Sequence, residues 1–143
     1  MNAETKEFVD EFLPMHVEAE RQIHAGDAQR RLDLWSRNDP ITVFGAKESG
    51  QGWEELEAMF MTVAGWFSGP VSYEFELVAA GASGDMAYAV GYERNEVMAD
   101  GEPRTYTLRA THVFRREGGE WHTVHRHADF PPESNGTKLF AEE

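Results

Sequence analysis

The 143 residues, 41% hydrophobic and 27% charged, have the mixture of an ordinary globular chain and a length that suits one domain. Twenty-six acidic residues against thirteen basic ones leave a formal net charge of −13, which opposes nucleic acid and anionic membrane surfaces as partners. Cysteine is absent, so disulfides and thiolate metal sites are excluded.

The start of the chain, MNAETKEFVDEF, is acidic and lacks the basic opening and apolar run of a signal peptide. No apolar run approaches the ~18 residues of a membrane helix. A soluble, cytoplasmic protein is expected. From Ala3 to Ala25 the apolar residues Phe8, Phe12, Met15, Ala19 and Ile23 recur at gaps of three and four, which marks one helical face. Pro14 should kink or split that helix, Gly26 should end it, and Asp27 should cap a second helix over Ala28–Trp35. Asn38-Asp39-Pro40 reads as a turn, Ile41–Phe44 as a short strand and Ser49–Gly52 as a Gly-rich turn. Trp53–Trp66 follows as a third helix, with Trp53, Leu56, Phe60 and Val63 on one side.

Beyond Gly69-Pro70 the period changes to two. Strands are expected over Val71–Ala80, Met86–Met98, Thr105–Arg116 and Trp121–Ala128, with turns rich in Gly and Asp between them. Pro131-Pro132 ends the run. The expected organisation is one α+β domain over residues 1–132, helices packed on a curled antiparallel sheet, and a polar, mobile tail over 133–143. A curled sheet crossed by helices leaves a cavity, and hence a candidate ligand pocket.

The closing run TLRATHVFRREGGEWHTVHRHADF resembles the C-terminal hairpin of the nuclear transport factor 2-like superfamily, in its SnoaL-like branch. The segments LWSRNDPITVFGA and SGQGWEELEAMF resemble the first strand and third helix of that branch, so the likeness extends to about Pro132. The resemblance implies a cone-shaped pocket, assembly as a homodimer or higher homo-oligomer through the outer sheet face, and a small-molecule ligand. It also implies acid–base chemistry by Asp or His without metal or organic cofactor. Superfamily members include isomerases, dehydratases and cyclases. A similar hairpin, with the pattern carried here by Arg109, Thr111, Trp121, His125 and His127, occurs in a kinase association domain that assembles rings without chemistry. Fold alone does not choose between these.

Alternation along Thr105–Arg116 puts Thr105, Thr107, Arg109, Thr111 and Val113 on one face, and Tyr106, Leu108, Ala110, His112 and Phe114 on the other. If Glu117-Gly118-Gly119 is a three-residue loop, Arg115 pairs with Trp121, Thr111 faces His125 and Arg109 faces His127. A two-residue Gly118-Gly119 turn instead brings Arg126 to that face. The resemblance favours the first register. On it, the cavity is expected to hold His127 and His125 as acid–base groups, Asp129 as orienter or base, and Arg109 to stabilise an anionic oxygen. Thr111 joins them as a substrate contact, and Trp35, Trp53 and Tyr92 are the preferred aromatic liners. His125-x-His127 on a strand, and His16, Glu20 and His24 at spacings of four on the first helix, are also metal-ligand spacings, although no metal is expected. The expected function is binding of a small, partly apolar molecule, with proton transfer of an isomerase, dehydratase or cyclase type. The alternative is a non-catalytic binding or oligomerisation module.

Overall fold

A computed structural model describes residues 1–132; the expected tail over 133–143 lies outside the described residues. Asn2 opens the first helix, its side-chain oxygen accepting the Thr5 N–H at 2.8 Å. That helix, α1 (Ala3–Glu11), gives way at Phe12 to α2 (Leu13–Ile23). Pro14 sits in the first turn of α2, where its missing N–H leaves no helical bond unmade, so the expected single helix is split. Gly26 then turns the chain at φ 98°, and a Cβ there would stand 2.8 Å from the Phe67 carbonyl oxygen. Asp27 accepts the Gln29 N–H at 2.9 Å, so α3 (Gln29–Leu34) begins one residue later than the spacing suggests.

After α3 come β1 (Thr42–Phe44) and β2 (Ser49–Gln51), the latter in place of the expected turn. Next are α4 (Trp53–Ala64) and four long strands: β3 (Phe67–Ser83), β4 (Met86–Ala99), β5 (Glu102–Glu117) and β6 (Glu120–Asp129). They form one six-stranded sheet in the order β2-β1-β6-β5-β4-β3. The meander is antiparallel as expected, but β1 lies parallel to β6, which makes the sheet mixed.

Two apolar clusters join helices to sheet. Phe8, Phe12 and Leu13 pack on Ala82, Ala87, Ala89 and Phe114, where the alanines of β4 let the helices come close. Ile23, Leu32, Trp35, Ile41, Val43, Leu56 and Phe60 form the other cluster, closed from the sheet by Val124. Each such fully buried side chain contributes about 1.5–3 kcal/mol.

The hairpin register departs from the preferred expectation. Gly118 and Gly119, at φ 58° and 83°, make a two-residue turn, so Glu117 pairs with Glu120, Arg116 with Trp121 and Arg115 with His122. A β-bulge follows: Phe114 pairs with Thr123, but Val113 pairs with His125, leaving Val124 as the extra residue. Thr111 therefore lies opposite His127 and Arg109 opposite Asp129. Because the bulge shifts the alternation by one, Arg126 pairs with His112 and is buried with it.

Candidate functional site

The helices cover the face of β5 that carries Leu108, Ala110, His112 and Phe114, all buried, and not the face carrying Arg109 and Thr111. This reverses the face chosen from sequence. The apolar character of Leu108, Ala110 and Phe114 decides it, since that is the surface worth removing from water. Arg109, Thr111, His125, His127 and Asp129 are brought together, but on the outer side of the sheet. There Arg109 donates to Asp129 from Nε and Nη2 at 2.7 and 2.6 Å, and Thr42 Oγ1 lies 2.8 Å from His125 Nδ1. The Arg109 bond holds Asp129 below its ordinary range, while burial and then His127 lower His125. The Arg109–Asp129 pair is exposed and adds little stability.

Tyr92 also projects outward, its ring beneath the Arg94 guanidinium at 5.4 Å. Trp35 is core, packed at a tilt of 56° against Phe60 with ring centroids 5.1 Å apart. Trp53 packs at the start of α4 under Arg37, whose guanidinium carbon is 4.4 Å from its ring. None of these eight residues lines the cavity, whereas the neighbouring aromatics Trp66 and Phe67 do.

The cavity measures about 680 Å³ and lies between α2, α3 and α4 and the inner sheet face. Val43, Met59, Val63 and Leu108 give it apolar walls, and Tyr106 and Phe130 add aromatic ones. Its polar lining is His24, Arg31 and Arg126 within, and Lys47, Glu48, Arg104 and Thr105 toward solvent.

Behind the lining lies a buried charge network. Glu93 accepts both arms of Arg126 at 2.8 Å each, and the Tyr73 hydroxyl at 2.7 Å. Arg31 is paired with Glu20, which also lies 3.9 Å from Arg126. Burial alone would raise both carboxyls, yet the guanidiniums prevail: Arg31 and Arg126 bring Glu20 down to about 2, and Arg126 does the same for Glu93. Two anions and two cations thus balance. Burial pushes His16, His24 and His112 down and so favours their uncharged forms.

His16, Glu20 and His112 offer ligand atoms within 4.8 Å of one another, and among the described residues His16 Nε2 and His112 Nδ1 have no hydrogen-bond partner. A divalent cation nonetheless fits poorly. Glu20 is already balanced by arginine, Arg126 Nη1 sits 3.1 Å from His112 Nε2, and two further positive charges would be buried without counter-ions.

His24 and Tyr106 are the titratable pair at the cavity wall, with ring centroids 6.4 Å apart. His24 Nδ1 lies 2.7 Å from the Glu20 carbonyl oxygen. A carbonyl only accepts, so Nδ1 carries the proton and Nε2 presents a lone pair. Burial, then Glu93, pushes the Tyr106 phenol up to about 12, which keeps it a neutral donor. Among the described residues neither His24 Nε2 nor the Tyr106 hydroxyl has a protein hydrogen-bond partner. The sequence signal for His24 is its helical spacing: His16, Glu20 and His24 ride on the stripe shared with Phe12, Ala19 and Ile23. Tyr106 lies on the β5 face with Leu108. Glu93 and Arg31 carry no local signal beyond parity with buried neighbours.

A family model described as the SnoaL-like domain matches residues 17–133. Among solved structures the chain is similar to a nuclear transport factor 2-like protein of unknown function from Pseudomonas putida, at 24% identity over 93% of this chain and 92% of that one, with a TM-score of 0.69. It is similar to a candidate dehydratase of the same superfamily from Streptomyces avermitilis (16% identity, 89% and 98% covered, TM-score 0.76). It also resembles a candidate calcium/calmodulin-dependent protein kinase type II association domain from Thiobacillus denitrificans (20%, 84% and 94%, 0.70). At these identities the likeness is one of fold. No curated protein matches the chain. Among the described residues no helix is long and apolar enough to cross a membrane.

Proposed function

The chain belongs to the SnoaL-like domain family, and on that premise we propose that its cavity binds a small, partly apolar carbonyl compound and moves a proton on it without a cofactor. The observation that carries this is the pairing of an uncharged His24, lone pair on Nε2, with the neutral Tyr106 donor on the wall of a 680 Å³ cavity. A base and an acid side by side can take a proton from carbon and stabilise the oxygen that becomes negative. Isomerisation, dehydration and cyclisation share that step. The roles sought in His127 and Asp129 thus pass to His24 and Tyr106, while the ligand's apolar body rests on Val43, Met59, Val63 and Leu108.

Proton exchange into a panel of enolisable ketones in heavy water, followed by NMR, tests this reading. Wild-type protein should accelerate exchange, and His24→Ala should lose about 10²–10⁴-fold. Tyr106→Phe should also be slower, with both variants still binding. Equal rates in wild type and His24→Ala would refute the assignment. A second reading, a binding or assembly module without chemistry, draws on the outer face. There Phe44, Met86 and Tyr88 are exposed, with Phe44 wedged edge-on between His125 and His127 at 5.7 and 5.5 Å. Such a patch suits self-association. Ligand binding with no exchange on any ketone would favour it.

A further inference from the structure

The buried ion pairs are polarised with respect to the cavity. Arg31 and Arg126 line it, whereas Glu20 and Glu93, which neutralise them, are fully buried and belong to no part of the lining. Each pair therefore turns its positive end toward the ligand space and its negative end toward the protein interior. In a site walled by hydrocarbon such a dipole acts at greater strength than in water.

Arg31 has donors to spare. Its one hydrogen bond among the described residues goes from Nη2 to Glu20, its Nε is buried without a partner, and the residue is only 4% exposed. An unpaired buried donor costs free energy until something accepts from it. Arg126, by contrast, is spent on Glu93 and His112. At the mouth stand Lys47 and Arg104, the second on the β5 face that continues inward through Tyr106 and Leu108. Among the described residues Arg104 has only a loose, exposed contact with Glu102 at 3.8 Å.

The charge distribution runs against the composition. Among the described residues four basic side chains line this cavity, against one acidic one, Glu48, in a chain with twice as many acidic residues as basic. A chain of net charge −13 repels anions at long range, so a local reversal of sign has a consequence for what enters.

We infer that the ligand of this cavity is an anion, a small carboxylate with an apolar body, whose carboxylate accepts from the free guanidinium edge of Arg31 and is drawn through the mouth by Lys47 and Arg104. A planar carboxylate matches the guanidinium fork, and the bond is charge-assisted on both sides. The ligand's apolar body then lies along Leu108, Val43 and Met59, with Tyr106 and His24 at its flank. This inference rests on the proposal that the cavity binds a ligand, and deepens it by fixing the ligand's charge.

The test is calorimetric titration of the full chain with pairs of probes that differ only in charge: 3-phenylpropanoate and 3-phenylpropanamide, 2-naphthylacetate and its amide, decanoate and decanamide. The carboxylate of a pair should bind roughly tenfold tighter than its amide at low salt, and the gap should narrow as salt rises. Lys47→Gln/Arg104→Gln, exposed positions that leave the buried network intact, should weaken the carboxylate several-fold and leave the amide unchanged. Arg31→Lys keeps a charge for Glu20 while removing the fork, and should erase most of the remaining preference. Amides binding as well as acids, or a preference indifferent to Lys47, Arg104 and Arg31, would overturn the inference while leaving the cavity as a binding site. Binding of neither member in any pair would overturn both.

Discussion

Glu93→Gln isolates the energetics of the buried network. The substitution keeps shape and removes one charge, leaving the Arg126 guanidinium, 7% exposed at its side chain, with only the more distant Glu20 as counter-ion among the described residues. It also converts the acceptor of two arginine bonds and one tyrosine bond into an amide whose NH2 end repels the donors it meets. Breaking one side of a buried pair costs about 3–5 kcal/mol. Summing three charge-assisted bonds at about 1.5–3 kcal/mol each would give more, but bonds sharing one carboxylate are not independent. The expected loss is therefore about 4 kcal/mol, or roughly 8–15 °C in Tm for a chain of this size. Urea unfolding followed by fluorescence of the four tryptophans measures it. The control is the double variant Glu93→Leu/Arg126→Met, which removes both charges and should recover most of the loss. A Glu93→Gln variant within about 1 kcal/mol of wild type, or a double variant no better than the single one, would refute the reasoning.

Acid should destabilise the protein in two stages. His16, His24 and His112 have folded-state pKa values below the ordinary 6.5, so the stability tied to their uncharged forms is complete above that value and declines as pH falls below it. Glu20 and Glu93, held at about 2 against an ordinary 4.5, should add a second loss between those limits, read as urea midpoints across pH. Gly91→Ala should cost about 3 kcal/mol, because its Cβ would fall 2.2 Å from the Glu76 carbonyl oxygen and 2.7 Å from the Phe75 ring. Gly69→Ala, whose Cβ meets nothing within 4 Å, should be near neutral in the same thermal melt.

Periodicity disclosed most of the framework. Phe8, Phe12, Ala19 and Ile23 are the buried stripe of the two N-terminal helices, and the break at Pro14 falls where the ring permits it. The long strands appear where alternation placed them, extended at their ends by pairing that propensity does not encode. The short β1 falls within the expected Ile41–Phe44, whereas β2, three residues that read as a Gly-rich turn, exists only through its pairing with β1. Which face borders the cavity is not legible for one physical reason: the face richest in polar groups attracts a chemical reading, and in a cone that face is the outside. From Tyr106 to Phe114 the inner face of β5 looks apolar apart from His112, and the charged groups packed behind it come from other elements. Glu93 lies between Gly91 and Asn95 on β4, and Arg31 sits in a six-residue helix. Nothing local announces that these two lie near His24. The stack of His16, Glu20 and His24 was visible, and its sharing a stripe with Ile23 was the available signal that it points inward.

One inserted residue separates the two ends of the terminal hairpin. From the Gly118-Gly119 turn to Phe114 the strands keep one phase, and beyond Val124 they keep the other. The tip can therefore hold the tightest turn its glycines allow without dictating which residues reach Glu93 at the root. Were the ladder to continue without that bulge, Arg126 would fall opposite Thr111 on the outer face, and the cone would enclose an imidazole where it now encloses a guanidinium. Arg126 reaches the inside by way of the bulge, so a strand of the same sequence paired without it would present different chemistry inside the same cone.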